Sequence, residues 1–535
     1  MTRRVRTRLV AAVVATAALV ASGCGGGSAG GGGAGGTIIR GTTDQPVSYD
    51  PAGAYDLPSY DVIYSVYQNL LTIPPGGNKP VPEAAQACDW TNSTTYKCTL
   101  KDGLKFSNGD PLTSEDVKFS FDRNVEIADP NGASSLLANL KSTDAPDPKT
   151  VIFHLAKPDA TFPFLLTVAS FAIVDHKVFP ADKLQPSDKV IGSGHYTVAS
   201  FKPGQQTVLE KNPTYTPTYD GDEAAKNDRV IIQYFNTSSA LKLAVQQGPA
   251  NGGVDIAYRS LSPTDLSSLK SASGVNVVEG NGTEIRYLVF NLKLMPGDND
   301  AQKTAIRQAV AYTIDRDAIA NNVYDGTVQP LYSMVPQGLQ FATEAFKDRY
   351  GATPNVDAAK KVLADAGVKT PVPLEIWYTP SHYGPVSGDE YAEIKHELDS
   401  SGLFDVTLKS TEWEQYSTDA FTNKYPVFQL GWFPDYPDAN DYTQPFYAPN
   451  KESFLNISYS NPEMTKLLAD EVATTNDAKR AADFKRIQEI GAEDAPTIPY
   501  WQGKQVAAVR DGISGVEQTF DPSFIFRYWL ISKSS

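Results

Sequence analysis

Residues 95–123 read TYKCTLKDGLKFSNGDPLTSEDVKFSFDR, and the second half of the stretch announces a helix. Thr113 is an N-cap, Asp116 three residues on completes a capping box, and Leu112 before the cap supplies a hydrophobic staple. Val117 and Phe121 then share one helical face. Outward from this stretch, residues 151–155 (VIFHL), 230–234 and 287–291 are short apolar runs of strand type. Asn461 with Pro462 opens a second helix, with Leu467, Leu468 and Val472 along its face. Ala305, Ile306, Ala309, Val310 and Ile314 form a third apolar stripe, and residues 357–366 a fourth, closed by Gly367. Such stripes predict core rather than cofactor contacts. Strands alternating with helices over 535 residues predict an α/β chain of more than one domain.

Hydrophobic residues make up 41% of the chain and aromatics 10%, enough for a large buried core. The formal net charge is −15, from 47 basic and 62 acidic residues. Such a chain offers nucleic acid no counterion-releasing surface and gains little from anionic lipid. No nucleic-acid partner is expected, and any membrane attachment has to be covalent.

Residues 1–24 read as the source of that attachment. Arg3, Arg4, Arg6 and Arg8 form a basic start, and residues 9–20 an apolar run too short to span a bilayer. Ala21, Ser22 and Gly23 lead directly into Cys24. The pattern resembles a bacterial lipobox, with Ala21 where the lipobox prefers leucine. It implies removal of residues 1–23 as a signal peptide and a lipid on Cys24. Four of the 47 basic residues leave with the signal, so the remainder carries 43 basic against 62 acidic residues, or −19. Residues 25–36 are glycine apart from one serine and two alanines, a flexible coil reaching roughly 20 Å on average. The expected location is the outer face of the cell membrane, or the periplasm, as a lipoprotein with a linker over 24–36.

The two remaining cysteines, Cys88 and Cys98, flank a polar turn around 92–94 between strand-like Trp90 and Tyr96. In an exported chain they read as a cross-strand disulfide contributing about 2 to 3 kcal/mol. Catalytic patterns fail one after another. G-x-S-x-G and G-x-G-x-x-G occur only inside the glycine tract, where no strand precedes them. His396 and Glu397 begin H-E-x-x-H, but Ser400 stands where the second histidine is needed. A calcium loop starting at Asp435 would need glycine sixth and glutamate twelfth, and those places hold Asn440 and Phe446. There is no G-K-[ST] loop, and the five histidines are dispersed. The reading is therefore not an enzyme, with no catalytic residues, no cofactor and no metal.

Five segments together resemble the bacterial peptide-binding proteins of the oligopeptide/dipeptide class of ABC importers, solute-binding protein family 5. Residues 95–123 resemble its strand, its turn F-x-[DN]-G-x-P-[LV]-T and its helix start [AS]-E-D-V. Residues 191–198 (IGSGHYTV) resemble its GTGPY return strand, with His195 where proline is usual. Residues 307–316 (RQAVAYTIDR) match RQA-x-x-x-A-I-D-R, with Thr313 in place of alanine. Residues 431–441 (GWFPDYPDAND) match GW-x-x-D-Y-x-[DE], and 494–500 (DAPTIPY) match D-A-P-x-I-P-[LY]. The segments follow the family's order from about residue 45 to 530.

The resemblance implies an α/β periplasmic-binding-protein clamshell of two lobes (type II, cluster C), with an extra small domain inserted in the first lobe. Lobe I would comprise residues 37–67, 189–284 and 505–535, the extra domain 68–188, and lobe II 285–504. Solute would be captured between the lobes as they close. The implied protein is a monomeric, lipid-anchored component that binds short peptides and delivers them to ABC permease and ATPase subunits.

The resemblance also assigns the α-amino group of the peptide to Asp435, the aspartate of GW-x-x-D. A carboxylate in a desolvated cleft makes a short charge-assisted bond to an ammonium, and every peptide has one. Gly431, Trp432, Phe433 and Tyr436 beside it would wall the first pockets, with Tyr500, Trp501, Tyr55, Asp56 and Leu57 as further candidates. No motif marks the partner of the ligand's carboxylate, for which Arg259, Arg286 and Lys424 are candidates. The same clamshell could carry a metal chelate, haem or an oligosaccharide, or act as a peptide-sensing receptor. A secreted hydrolase is the reading of a different class, and the missing catalytic motifs count against it.

Overall fold

The computed structural model describes residues 36–534 except 260, 381, 385 and 450–452. The signal peptide, Cys24 and linker residues 24–35 lie outside the described residues. The predicted helices start where their caps place them. Thr113 opens the helix Ser114–Ile127 in a capping box, its amide donating to Asp116 Oδ2 at 2.8 Å, with Val117 and Phe121 buried. Asn461 caps Pro462–Val472 through the amides of Glu463 and Met464. The stripe beginning at Ala305 is the inner face of Asp300–Thr313. Gly367 follows Val356–Asp365 with a φ of +70°, where a side chain would be strained.

The strand expected at 287–291 is far longer, running over Val275–Phe290. Its first half is polar, glycine-containing and partly exposed, so the apolar run marks only its buried end. Cys88 and Cys98 face each other across Ala85–Asn92 and Thr95–Leu100 and are joined by a disulfide. Those two strands, Thr150–Leu155 and Leu140–Asp147 form a separate four-stranded antiparallel sheet.

Among the described residues the main sheet has eleven strands and passes through both halves of the molecule. Its order is Phe404–Ser410, Val372–Tyr378, Val427–Trp432, Val275–Phe290, Thr497–Arg510, Ile256–Tyr258, Thr37–Thr42, Arg229–Tyr234, Gln206–Lys211 and Tyr196–Lys202, with Val328–Pro330 paired to Thr497–Arg510. Two stretches of the sheet are parallel, one in each half, and embed βα connections: Thr37–Thr42 with its neighbours, and Val372–Tyr378 with Phe404–Ser410 and Val427–Trp432. Buried apolar side chains gather accordingly. One large cluster draws on residues 38–258 and 507–531 and includes the inner face of the four-stranded sheet; two others draw on residues 285–501. The result is a two-lobed α/β molecule.

The strands Val275–Phe290 and Thr497–Arg510 are common to both lobes. Their ladder runs from Val275 opposite Arg510 to Asn281 opposite Lys504, breaks, and resumes at Ile285 opposite Gln502. Val278 packs on the first lobe's core, whereas Ile285 enters the second. The irregularity thus falls where the two strands cross between lobes, the place where added twist and bend can act as a hinge.

Candidate functional site

The strand Val427–Trp432 delivers a loop into the crevice between the lobes. Pro434, Asp435 and Tyr436 on this loop face Leu57, Tyr60 and Phe524 of the first lobe across a cavity of about 20 Å³. That is room for roughly one water, so the lobes must part to admit a larger solute. The Tyr55 hydroxyl reaches across from the first lobe and donates to Asp435 Oδ1.

Buried polar contacts fix the loop. Asp438 takes a bidentate ion pair from Arg480 at 2.9 and 2.7 Å, and Arg480 also donates to Glu471 at 3.1 Å. Asn440 donates to Glu471 and accepts from the Tyr436 hydroxyl at 3.0 Å. Asp441 receives the Trp432 indole N–H at 3.1 Å and the Asp435 amide at 3.0 Å on one oxygen. The Asp435 and Asp441 carboxyl groups are themselves hydrogen-bonded. Burial pushes Asp435 up to about 6. Asp441, more deeply enclosed, is held well above the usual carboxylate range by burial and then by the charge of Asp435. Two carboxyls this close do not ionise together readily, and the pair holds a proton between them.

The other predicted residues divide. Leu57 begins the helix Leu57–Val66 and lines the cavity, while Asp56 caps that helix by accepting the Ser59 amide at 2.9 Å. Phe433 lies in the crevice, its ring 5.9 Å from that of Phe524 and 5.2 Å from the Arg259 guanidinium, both on the first lobe. Trp432 turns inward onto Phe446 and Phe454 and serves the loop rather than a pocket wall. Tyr500 is fully buried in the second lobe's core, its hydroxyl donating to Glu390 at 2.6 Å, so it does not reach the crevice. Trp501 also donates to Glu390, at 2.7 Å, with the Arg286 guanidinium 4.5 Å over its ring. Lys424 pairs with Asp419 in an exposed turn.

Sequence reasoning missed Asp441, Arg480 and the depth of Asp438. Both acids lie within the quoted motif at 431–441; what spacing could not supply was the arginine 42 residues away in sequence. Among the described residues, Asp116, Asp175 and His176 alone lie close enough to share a metal ion. Their oxygens are already engaged: Asp116 by Thr113 and His176, Asp175 by Asn108 and the Lys177 amide. Asp116 serves the capping box of the helix Ser114–Ile127. No described helix is long and apolar enough to cross a membrane.

Comparison with known proteins agrees with this architecture. The probable D,D-dipeptide-binding periplasmic protein of Escherichia coli is 27% identical over 506 residues, covering 90% of this chain and 93% of that protein. The oligopeptide-binding protein OppA of Bacillus subtilis is 25% identical over 485 residues, covering 85% and 86%. Among solved structures, the ABC transporter substrate-binding protein CtaP of Listeria monocytogenes superposes with a TM-score of 0.79 at 23% identity, over 94% of this chain and all of that one. The periplasmic binding protein DppA of Helicobacter pylori, in complex with the peptide STSA, gives 0.73 at 20% identity, over 94% and 98%. Residues 79–454 match the family described as bacterial extracellular solute-binding proteins, family 5, and the chain belongs to that family.

Proposed function

We propose that the chain is the lipid-anchored solute receptor of an ABC importer, that it captures short peptides between its lobes, and that Asp435 receives their α-ammonium group. The observation that carries this reading is the position of Asp435: a half-buried carboxylate in the crevice, backed by a second, buried carboxyl and touched from the opposite lobe by Tyr55. A carboxylate so placed offers a terminal ammonium a charge-assisted bond that ignores side-chain identity. The peptide-binding relatives support the same class of solute. We infer lobe boundaries at 284/285 and 504/505, a reading supported by the nearby ladder irregularity between Asn281 opposite Lys504 and Ile285 opposite Gln502.

Calorimetric titration with free-amine and N-acetylated peptides tests the assignment. Asp435→Ala should abolish the preference for a free amine, and an equal loss for both peptide forms would refute it. Lipid attachment is tested separately by radiolabelled palmitate incorporation, which Cys24→Ser should eliminate.

A further inference from the structure

The last carbonyls of an α-helix have no partner within the helix and must find one elsewhere. At the end of Pro462–Val472, in the second lobe, the Val472 carbonyl accepts the Ala160 amide at 2.7 Å. Ala160 comes from the other side of the crevice, in the loop that follows the strand Thr150–Leu155 of the four-stranded sheet. That loop is built to aim the amide. The Asn139 side chain and the Lys157 backbone exchange two hydrogen bonds of 3.1 Å. Asp159 accepts the amide and hydroxyl of Thr161, at 3.0 and 2.6 Å, and the Asn139 side chain at 3.2 Å. Ala160 therefore sits between two residues that are pinned to each other.

A second contact crosses nearby. Lys79, two residues before the strand Val81–Pro82, donates to Asp477 at 2.6 Å. Asp477 begins the helix Asp477–Asp494, so the two contacts grip one helical hairpin on either side of its turn at 473–476. The same hairpin braces the Asp435 loop: Glu471 adjoins Val472, and Arg480 lies about one turn beyond Asp477. Between hairpin and sheet lies a cavity of about 300 Å³, walled by Trp90, Tyr96 and Phe164 on one side and by Gln340 and Arg480 on the other. The two surfaces thus meet at points rather than by continuous packing. Neither Ala160, Lys79, Val472 nor Asp477 lies on the two strands common to both lobes, so both contacts break when the lobes turn about those strands.

We propose that Ala160 and Lys79 are positioning residues for capture, a latch that grips the second lobe's hairpin and holds the crevice shut over its ligand. The proposal rests on the peptide reading for the identity of what is trapped. The strength of the contacts suits a catch that must also release. An exposed ion pair contributes little, and one amide–carbonyl bond that water can replace shifts an equilibrium by only a few-fold.

The test uses the full mature chain, with trialanine and N-acetyl-trialanine as ligands. Ala160→Pro deletes the donated N–H and should speed trialanine dissociation about fivefold. Lys79→Met should speed it about twofold, and Lys79→Arg should leave it unchanged. The two latch variants should affect both peptides by the same factor, whereas Asp435→Ala acts on the free amine alone, so failure of the latch and failure of the amine site are read separately. Exchange of the Ala160 amide proton, followed by mass spectrometry with electron-transfer fragmentation, guards against a proline that disturbs its loop. In the unliganded chain this proton should exchange about twofold faster in Lys79→Met than in the unaltered protein or Lys79→Arg, and saturating trialanine should slow it in the unaltered protein. Unchanged dissociation in both Ala160→Pro and Lys79→Met overturns the proposal. Failure of trialanine to bind the unaltered protein would count against the peptide reading, and equal exchange at Ala160 in unliganded Lys79→Met and unaltered protein would still overturn the latch.

Discussion

The Tyr55 hydroxyl on one lobe donates a hydrogen bond to the Asp435 carboxylate on the other. Tyr55 is itself 43% exposed, so this bond is held at the mouth of the crevice rather than inside a core. An ammonium arriving at Asp435 has to share or displace that hydroxyl. Tyr55→Phe should therefore strengthen binding of a free-amine peptide by about 1 kcal/mol, roughly fivefold, the net worth of one hydrogen bond. Calorimetry decides: a loss of affinity beyond tenfold would mean that the hydroxyl stays in place and helps hold the ligand.

Burial raises Asp435 from 3.8 to about 6, so the folded protein binds a proton there over a window in which the unfolded chain does not. The sign follows directly. Ionised Asp435 is a cost to stability above pH of about 6, and that cost is relieved as pH falls from about 6 toward 4. Peptide affinity runs the other way, because the ammonium needs the ionised form. Affinity should be constant near pH 7 to 8 and fall by up to about tenfold per unit below about 6. Titrations in buffers of different ionisation enthalpy should show proton release on binding at pH 5 to 6, and a flat profile there contradicts the assignment.

Burial and the charge of Asp435 hold Asp441 well above the usual carboxylate range, which favours its protonated form, and it accepts two N–H groups on one oxygen. Asparagine reproduces both functions, since its carbonyl can accept those bonds and its amide can donate to Asp435. Asp441→Asn should keep peptide affinity within about threefold. Asp441→Ala strands the Trp432 indole and the Asp435 amide and should weaken binding by about tenfold, in line with about 1 to 3 kcal/mol for unsatisfied buried donors. Equal losses in the two variants would rule out the donor role.

Arg480 neutralises Asp438 in a buried bidentate pair and also bonds Glu471, which burial holds at about 8. Arg480→Met leaves Asp438 buried without its partner and should cost about 3 to 5 kcal/mol by urea unfolding of the mature chain. Adding Asp438→Asn should recover part of the loss, because the stranded charge is removed. No recovery in the double variant would show that the arginine acts through packing on Phe341 and Phe484 instead.

Local grammar carried much of the fold. Thr113, Asn461 and Gly367 act at helix ends because capping depends on residues within one turn. The Cys88–Cys98 hairpin was equally readable, its cysteines being ten residues apart. The crevice was readable only in part. Tyr500 and Asp435 both sit in acid- and aromatic-rich motifs, but whether a side chain points to the core or the crevice depends on the face of a long-range ladder, here Thr497–Arg510 against Val275–Phe290. Arg286 shows the same limit, since its burial depends on ladder neighbours Gly431 and Trp501, 145 and 215 residues away in the chain.

The crossing strands make the last prediction a contrast between two glycines. A Cβ on Gly282 would lie 2.8 Å from the Gly503 carbonyl oxygen, backbone that cannot move aside without opening the ladder. A Cβ on Gly503 would meet only Glu284 and Trp501, no closer than 3.5 Å, which is ordinary contact. Gly282→Ala should therefore destabilise the protein by about 1 to 3 kcal/mol, the range of local overpacking, and should shift the balance of open and closed forms. Gly503→Ala should stay within about 0.5 kcal/mol, because the added methyl meets nothing nearer than ordinary contact distance. Thermal unfolding reports the first difference, and the radius of gyration from solution scattering, with and without a saturating peptide, reports the second. If both variants match the unaltered protein in both measurements, the break in the ladder at Gly282 is not where the lobes turn.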